Sequence, residues 1–440
     1  MRDIASNRRM IMGMLSPDMP APAPRRQWIL IVLGLLFVLS LIVRSSYLGL
    51  AEYKGDESTA VDLATRLVHG EFIQTGLVSS TGLLNPPIFV YLLALPGLLS
   101  LSPLTLTAFV ILCNSFALIF LLFVLEKRLQ SETALTVAAL FASAPWPILY
   151  ARKIWAQDLL FPFLALFYGV LLSYLEKPRV WKVVAAAALL AVITQLHMSG
   201  WFFLVAFVAF LLLYRVRVTL NAAVMGAAAF VALYAPFLWY QLRTGFSDFG
   251  NLHSDRAHDL SSFWTGIREA LQTTTGLEFG YVMGGGGYDA FLHWAPVWIL
   301  LPFFLLYLTL AICGWFAGAR MAALALRARW KGKKATPLAL LVSFLILACV
   351  AVEAAYALMA NVYPHYQIIL YPALPLLAAL FLREQGKDEP AKTLVRVAVI
   401  GIVAAQLAFT FGVLRFIAAH PEQIDGDYGQ PYVLQDHGAN

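Results

Sequence analysis

The sequence predicts an all-α polytopic membrane protein, and three observations carry that reading. Of the 440 residues, 60% are hydrophobic and only 13% charged, where soluble domains average nearer half and a quarter. Mean hydropathy is correspondingly high, at +0.75. The apolar residues gather in runs of roughly 17–25, the length of a helix that crosses about 30 Å of hydrocarbon. A net charge of +6 raises the question of nucleic acid. The basic residues, however, sit in short clusters between apolar runs, which is how membrane topology is encoded, so no nucleic-acid partner is expected. Cys113, Cys313 and Cys349 lie inside apolar runs with no metal-ligand spacing, which supports neither a disulfide framework nor a zinc site.

Taken in order, residues 1–26 read as a cytoplasmic tail with a Pro-Ala linker from Pro20 to Pro24. The first apolar run is too long for a signal-peptide core and precedes no small-residue cleavage site, so it reads as a signal anchor. About eleven spans follow from the apolar runs, at roughly 27–48, 103–125, 132–150, 159–175, 181–196, 199–214, 219–240, 294–317, 337–360, 366–383 and 394–416. Ile88 to Leu101 is also apolar, but it is short for a span and is broken by Pro96. Treating it as non-spanning places 22 of the 31 Lys and Arg inside and 9 outside, as positive-inside topology prefers. The loops 49–102, 151–158, 241–293 and 361–365 then share the outer face. The segment 417–440 reads as a short, polar, loosely held non-cytoplasmic tail.

Candidate chemistry collects in those outer loops. Gly55-Asp56-Glu57-Ser58-Thr59 opens an amphipathic helical pattern with Asp62 and Arg66 on its wet side. Asp56 or Glu57 is either a helix cap or a membrane-edge carboxylate able to deprotonate an acceptor hydroxyl. Arg152 and Lys153 oppose the orientation bias, which invites an anionic partner such as a lipid phosphate. The alternative is a Trp155-containing headgroup anchor. Asp158 heads the next span as a second acid or as a cap. His365 and Tyr366 open the tenth span, where they form an aromatic belt or meet a phosphate. His197, alone between spans, reads as structural. In the long loop, Trp264, Tyr281 and Tyr288 flank Gly284 to Gly287, whose backbone freedom suits a lid hinge or an unstructured connector.

Four of these segments occur in a recognisable order. They are Asp56-Glu57, then Asn85-Pro86-Pro87-Ile88-Phe89-Val90-Tyr91-Leu92-Leu93, then Tyr150-Ala151-Arg152-Lys153 through Asp158, and finally His365-Tyr366 leading to Tyr371-Pro372-Ala373-Leu374-Pro375. Over about residues 27–383 the chain resembles GT-C glycosyltransferases of the branch that holds protein O-mannosyltransferases and the lipid A aminoarabinose transferase. The resemblance implies a GT-C-like bundle with interfacial helices in the first outer loop. It implies transfer of a monosaccharide from a polyprenyl-phosphate donor to an envelope acceptor (glycolipid, polysaccharide or protein) on the outer face of the plasma or inner membrane. Asp56 is similar to the family's base or metal ligand, Glu57 to its neighbour and Asp158 to the second outer-loop acid. Arg152, Lys153, His365 and Tyr366 would lie at the donor phosphate, although His365 stands where many relatives carry Arg. Trp264, Tyr281 and Tyr288 would cover the substrate. Whether a divalent ion (Mg²⁺ or Mn²⁺) sits at Asp56 and Asp158 stays open. An envelope polysaccharide ligase or polymerase is the near alternative. A secondary transporter is a remoter one, because it would need internal repeats and more polar residues at mid-membrane.

Overall fold

The computed structural model describes residues 26–435 except 80–81, 252–259, 358, 360 and 387. The expected tail at 1–25 and part of the loop 241–293 lie outside the described residues. The described chain is a helical membrane bundle. In order, the helices are α1 (Arg26–Ser45), α2 (Gly55–Val68), α3 (Ile88–Gly97), α4 (Pro103–Glu126), α5 (Ser131–Ala142) and α6 (Pro145–Tyr150). Then come α7 (Leu160–Glu176), α8 (Val180–Leu196), α9 (Ser199–Leu213), α10 (Leu220–Thr244), α11 (Leu260–Thr275) and α12 (Gly280–Met283). The last are α13 (Gly285–Trp294), α14 (Leu301–Trp330), α15 (Pro337–Tyr356), α16 (Ala373–Gln385) and α17 (Glu389–Ala419).

Each expected span coincides with a helix or a helix pair, but not all are straight crossings. Among the described residues, six helical stretches are individually long and apolar enough to cross a membrane, and one further pair does so with a 58° bend. That pair is the short Pro364–Leu370 helix followed by α16, interrupted at Pro372, which has no N–H to carry the helix onward. The expected single span 132–150 is likewise divided into α5 and α6, because Pro145 and Pro147, on either side of Trp146, each lack a backbone donor. At 17 and 15 residues, α8 and α9 rise only about 22–26 Å. Helix α3 has ten residues, half the length a span needs, and packs against α2 at the bundle's end.

Helix ends follow local chemistry. Thr219, Thr336 and Asp388 cap α10, α15 and α17 by accepting from the backbone N–H three residues on, at 3.4, 3.2 and 2.9 Å. Within the bundle, α14 lies directly on α16 because Gly314 brings the backbones together. A Cβ there would stand 2.6 Å from the Ala378 nitrogen, and Gly318 continues the small-residue spacing one turn on. The α7–α9–α15 core is aromatic. Phe344 is surrounded by Phe167, Phe203, Phe207 and Phe210 at centroid distances of 5.7, 5.0, 5.8 and 5.7 Å.

The carboxy-terminal segment departs from expectation. As far as residue 435 it is tied down by hydrogen bonds. Tyr428 and Gln435 donate to the backbone carbonyls of Leu50 and Tyr53, and Tyr432 N–H donates to Ala51 O at 2.9 Å. On its other side, Asp427 N–H and Tyr428 N–H donate to Tyr281 O and Val282 O at 2.9 and 3.0 Å. The segment therefore straps the first outer loop to α12. Gly284 and Gly287 let the strap's backbone approach closely. Gly284, at φ +79°, turns the chain, and Gly285–Gly287 start α13. A Cβ on Gly287 would come within 2.4 Å of Gln423 O, so glycine is required by close backbone approach.

Candidate functional site

Trp155 organises one end of the bundle. Its indole N–H donates to Asp56 Oδ2 at 3.0 Å, its ring lies 3.6 Å from Lys153 Nζ, and it packs against His365 at 4.6 Å. Asp56, Lys153 and His365, drawn from three distant segments, thus meet around one side chain. Asp56 is exposed on the rim. Glu57, the next residue, is fully buried at 0% exposure because the first turn of α2 points it inward. Its Oε2 accepts from Lys54 N–H at 3.0 Å and so caps α2, the role the sequence also allowed for Asp56.

Lys153, 3% exposed, does not face an open site. Its ammonium lies 2.7 Å from Glu52 Oε1, 3.5 Å from Glu57 Oε1 and 3.7 Å from Asp427 Oδ2. Lys54 joins the same network, 2.8 Å from Glu52 and 3.2 Å from Asp427. Burial alone would lower the basicity of Lys153, but Glu52, Glu57 and Asp427 together hold it above the ordinary lysine value. Burial likewise pushes the Glu52 carboxyl up to about 7, against the pull of Lys153. The cluster is a cross-brace of buried and half-buried ions between the first loop, the third-span exit and the carboxy-terminal strap.

Arg152 differs from its neighbour. It is 2% exposed and pairs with no carboxylate among the described residues. Only Nη2 is engaged, donating to Tyr47 O at 2.6 Å, while Nε and Nη1 have no hydrogen-bond partner. Burial lowers its pKa, with Tyr428 opposing. It lines a cavity with Glu52, Tyr150, Lys153, Asp427 and Tyr428 that holds about 10 Å³, room for a single water. Buried guanidinium donors without acceptors are costly, so the water-sized cavity beside Arg152 calls for a hydrogen-bond acceptor.

Asp158 caps nothing. It is 2% exposed, neither carboxylate oxygen has a hydrogen-bond partner, and its backbone oxygen accepts from Asn114 Nδ2 at 2.9 Å. It shares a second cavity of about 10 Å³ with Arg44, Tyr150 and Tyr371. Arg44 Nη1 donates to Ser40 Oγ at 2.7 Å, and Ser40 donates to Ser115 at 3.0 Å. Asp56 stands on the exposed rim while Asp158 is buried in its cavity, and no three His, Cys, Asp or Glu side chains form a metal-holding group among the described residues.

His365 sits in an aromatic box rather than among anions. Tyr363 stacks on it at 5.7 Å with 8° between planes, Tyr366 meets it edge-on at 4.7 Å, and His197 and Tyr281 lie at 6.3 and 6.4 Å. Tyr281 is therefore at the site. Tyr288 packs on Phe291 at 6.4 Å, and Trp264 is 65% exposed on α11, so neither joins the Trp155 cluster. His197 Nδ1 accepts from Ser199 N–H at 3.2 Å, and burial lowers its pKa to about 4.

Sequence reasoning missed Arg44, Glu52 and Asp427. Arg44 carried a signal, since a cation at the outer end of the first span runs against the positive-inside bias. Glu52 lies four residues before Asp56 and had the same acid character. Asp427 had none, because its partners lie more than 270 residues away.

No protein-family model matches the chain, and no curated protein matches it in sequence. Solved structures share its architecture, two of ArnT among them. The crystal structure of ArnT from Cupriavidus metallidurans in the apo state has a TM-score of 0.58 at 12% identity, covering 89% of this chain and 77% of that one. ArnT from the same organism bound to undecaprenyl phosphate has the same score and identity, over 90% and 78%. The chain has the all-helical membrane fold of ArnT, a GT-C fold.

Proposed function

We propose that this protein is a membrane glycosyltransferase that moves a monosaccharide from a polyprenyl-phosphate donor to an envelope acceptor, working at the outer face of the membrane. The observation that carries this reading is Arg152, a buried guanidinium with two unpartnered nitrogens and no carboxylate, beside the Trp155 cluster of a GT-C fold. In ArnT the same fold binds undecaprenyl phosphate. The positive-inside bias puts the Trp155 end outside.

The chemistry follows from the residues. The acceptor hydroxyl or amine attacks the anomeric carbon, the bond from that carbon to the phosphate oxygen breaks, and polyprenyl phosphate leaves. Arg152 stabilises the charge that develops on the departing phosphate, in a site where low dielectric strengthens the contact. Asp56, exposed and held by the Trp155 indole, takes the acceptor's proton. Glu57 and Lys153 position it by fixing the first turn of α2. Donor phosphate reaches Arg152 only if the strap bearing Asp427 and Tyr428 moves, since the cavity they close holds one water.

The test starts from envelope glycans of cells with and without the protein, which identify the missing sugar. The purified protein in liposomes is then given that sugar on undecaprenyl phosphate. Expected are transfer by the wild type and loss of undecaprenyl-phosphate binding by roughly a hundredfold in Arg152→Ala, with Arg152→Lys intermediate because an ammonium cannot grip two oxygens. An unchanged envelope together with equal binding by all three proteins refutes the proposal.

A further inference from the structure

A large cavity lies at the opposite end of the bundle from Trp155. It holds about 1510 Å³, beyond the roughly 300–1,000 Å³ of ordinary small-molecule sites. It is lined by residues around 127–130, 174–178, 215–217, 321–340 and 383–392, and nine of the lining residues are Lys or Arg against two acids. Some of these cations build the walls. Arg128 pairs with Glu176 at 2.7 Å, and Arg329 donates to the backbone oxygens of Tyr214 and Arg215 at 2.8 Å each.

Others have no such task. Lys127, Arg217, Lys333 and Lys334 form no ion pair with a carboxylate among the described residues, and all four are exposed. Beneath them lies an apolar floor that includes Leu175, Val216, Met321, Leu338 and Leu340. Positive-inside topology asks for cations near this face, but not that they ring a concavity with an apolar base. A soluble phosphate would use the cations and leave the floor wet. An amphiphile uses both.

We propose that this basin binds an anionic phospholipid of the leaflet opposite the Trp155 cluster, taking its phosphodiester headgroup on Lys127, Arg217, Lys333 and Lys334 and the start of its acyl chains on the apolar floor. Four unpaired cations match a headgroup with two phosphodiesters, as in cardiolipin, better than one with a single phosphate. The site is separate from the donor site, and its occupancy does not depend on the glycosyltransferase reading.

The experiment titrates cardiolipin, phosphatidylglycerol and phosphatidylcholine into the purified full chain in detergent, read by native mass spectrometry and by thermal stabilisation. Expected is binding in the order cardiolipin, phosphatidylglycerol, phosphatidylcholine. The triple variant Arg217→Gln/Lys333→Gln/Lys334→Gln should lose cardiolipin affinity by roughly a hundredfold, at about fivefold for each cation removed. Arg152→Ala should bind cardiolipin as wild type does, which separates this site from the donor site. Should the triple variant fold poorly, Lys333→Gln and Lys334→Gln singly give the per-cation loss. Equal binding of phosphatidylcholine, or undiminished cardiolipin binding by the variants, overturns the proposal. So does the same stabilisation from inorganic pyrophosphate, which would make the ligand a soluble anion.

Discussion

Lys153→Met tests whether this lysine braces the fold or serves the substrate. At an effective dielectric of about 20, its contacts to Glu52, Glu57 and Asp427 at 2.7, 3.5 and 3.7 Å are worth roughly 6, 5 and 4.5 kcal/mol before desolvation. Most of that is offset by the cost of burying an ammonium and two carboxylates. The net loss on removing one partner is set by the acids left behind, at about 3–5 kcal/mol. Lys153→Met is therefore expected to lower the unfolding free energy by that amount, measured by SDS denaturation of the purified protein in detergent. Adding Glu57→Gln to Lys153→Met should recover a large part, because Glu57 is fully buried and its Oε1 is left without a cation, whereas Glu52 keeps Lys54 at 2.8 Å. A Lys153→Met protein as stable as wild type, but unable to bind undecaprenyl phosphate, refutes the reasoning and makes Lys153 a phosphate ligand.

Three other outcomes follow from the same geometry. Asp56→Asn should reduce transfer at least a hundredfold at unchanged melting temperature, because an exposed general base contributes to turnover and little to packing; near wild-type turnover sinks the assignment. Gly287→Ala drives a Cβ to within 2.4 Å of Gln423 O and should cost about 1–3 kcal/mol, freeing the strap to proteolysis at residues 421–435 while the bundle stays intact. His197 titrates at about 4 in the folded protein and about 6.5 unfolded. The unfolded chain therefore binds the extra proton first as pH falls from about 6.5 to 4, and stability drops across that window by at most roughly 3 kcal/mol. His197→Gln should flatten this part of the acid-unfolding curve, and an unchanged curve removes His197 from the account.

The bundle was legible because membrane helices are selected by a one-dimensional property. Runs such as Pro103–Glu126 and Pro337–Tyr356 are apolar all round, and hydropathy needs no knowledge of neighbours to find them. The two places where a span proved broken, at Pro145 and at Pro372, also carried their cause in the sequence as a missing N–H. The site was legible only as a set of segments. Asp56, Lys153 and His365 do come together, and Tyr281 lies with them, whereas Trp264 and Tyr288 do not. An aromatic in a loop gives no indication of which way its helix turns.

The sequence by itself determined the membrane class, the order and approximate limits of the spans, and the gathering of Asp56, Arg152, Asp158 and His365 toward one face. Tertiary structure alone decided what each charge does. Glu57 is a buried cap while Asp56 beside it stays on the rim, Lys153 is consumed by three acids while Arg152 keeps two free nitrogens, and a polar tail becomes the strap that supplies Asp427. The physical reason is that hydrophobic burial depends on a residue's own side chain, summed along a helix, whereas the state of an ion depends on which opposite charge stands within about 4 Å of it. For Lys153 those charges lie 101, 96 and 274 residues away along the chain, a pairing that folding sets and local sequence does not display.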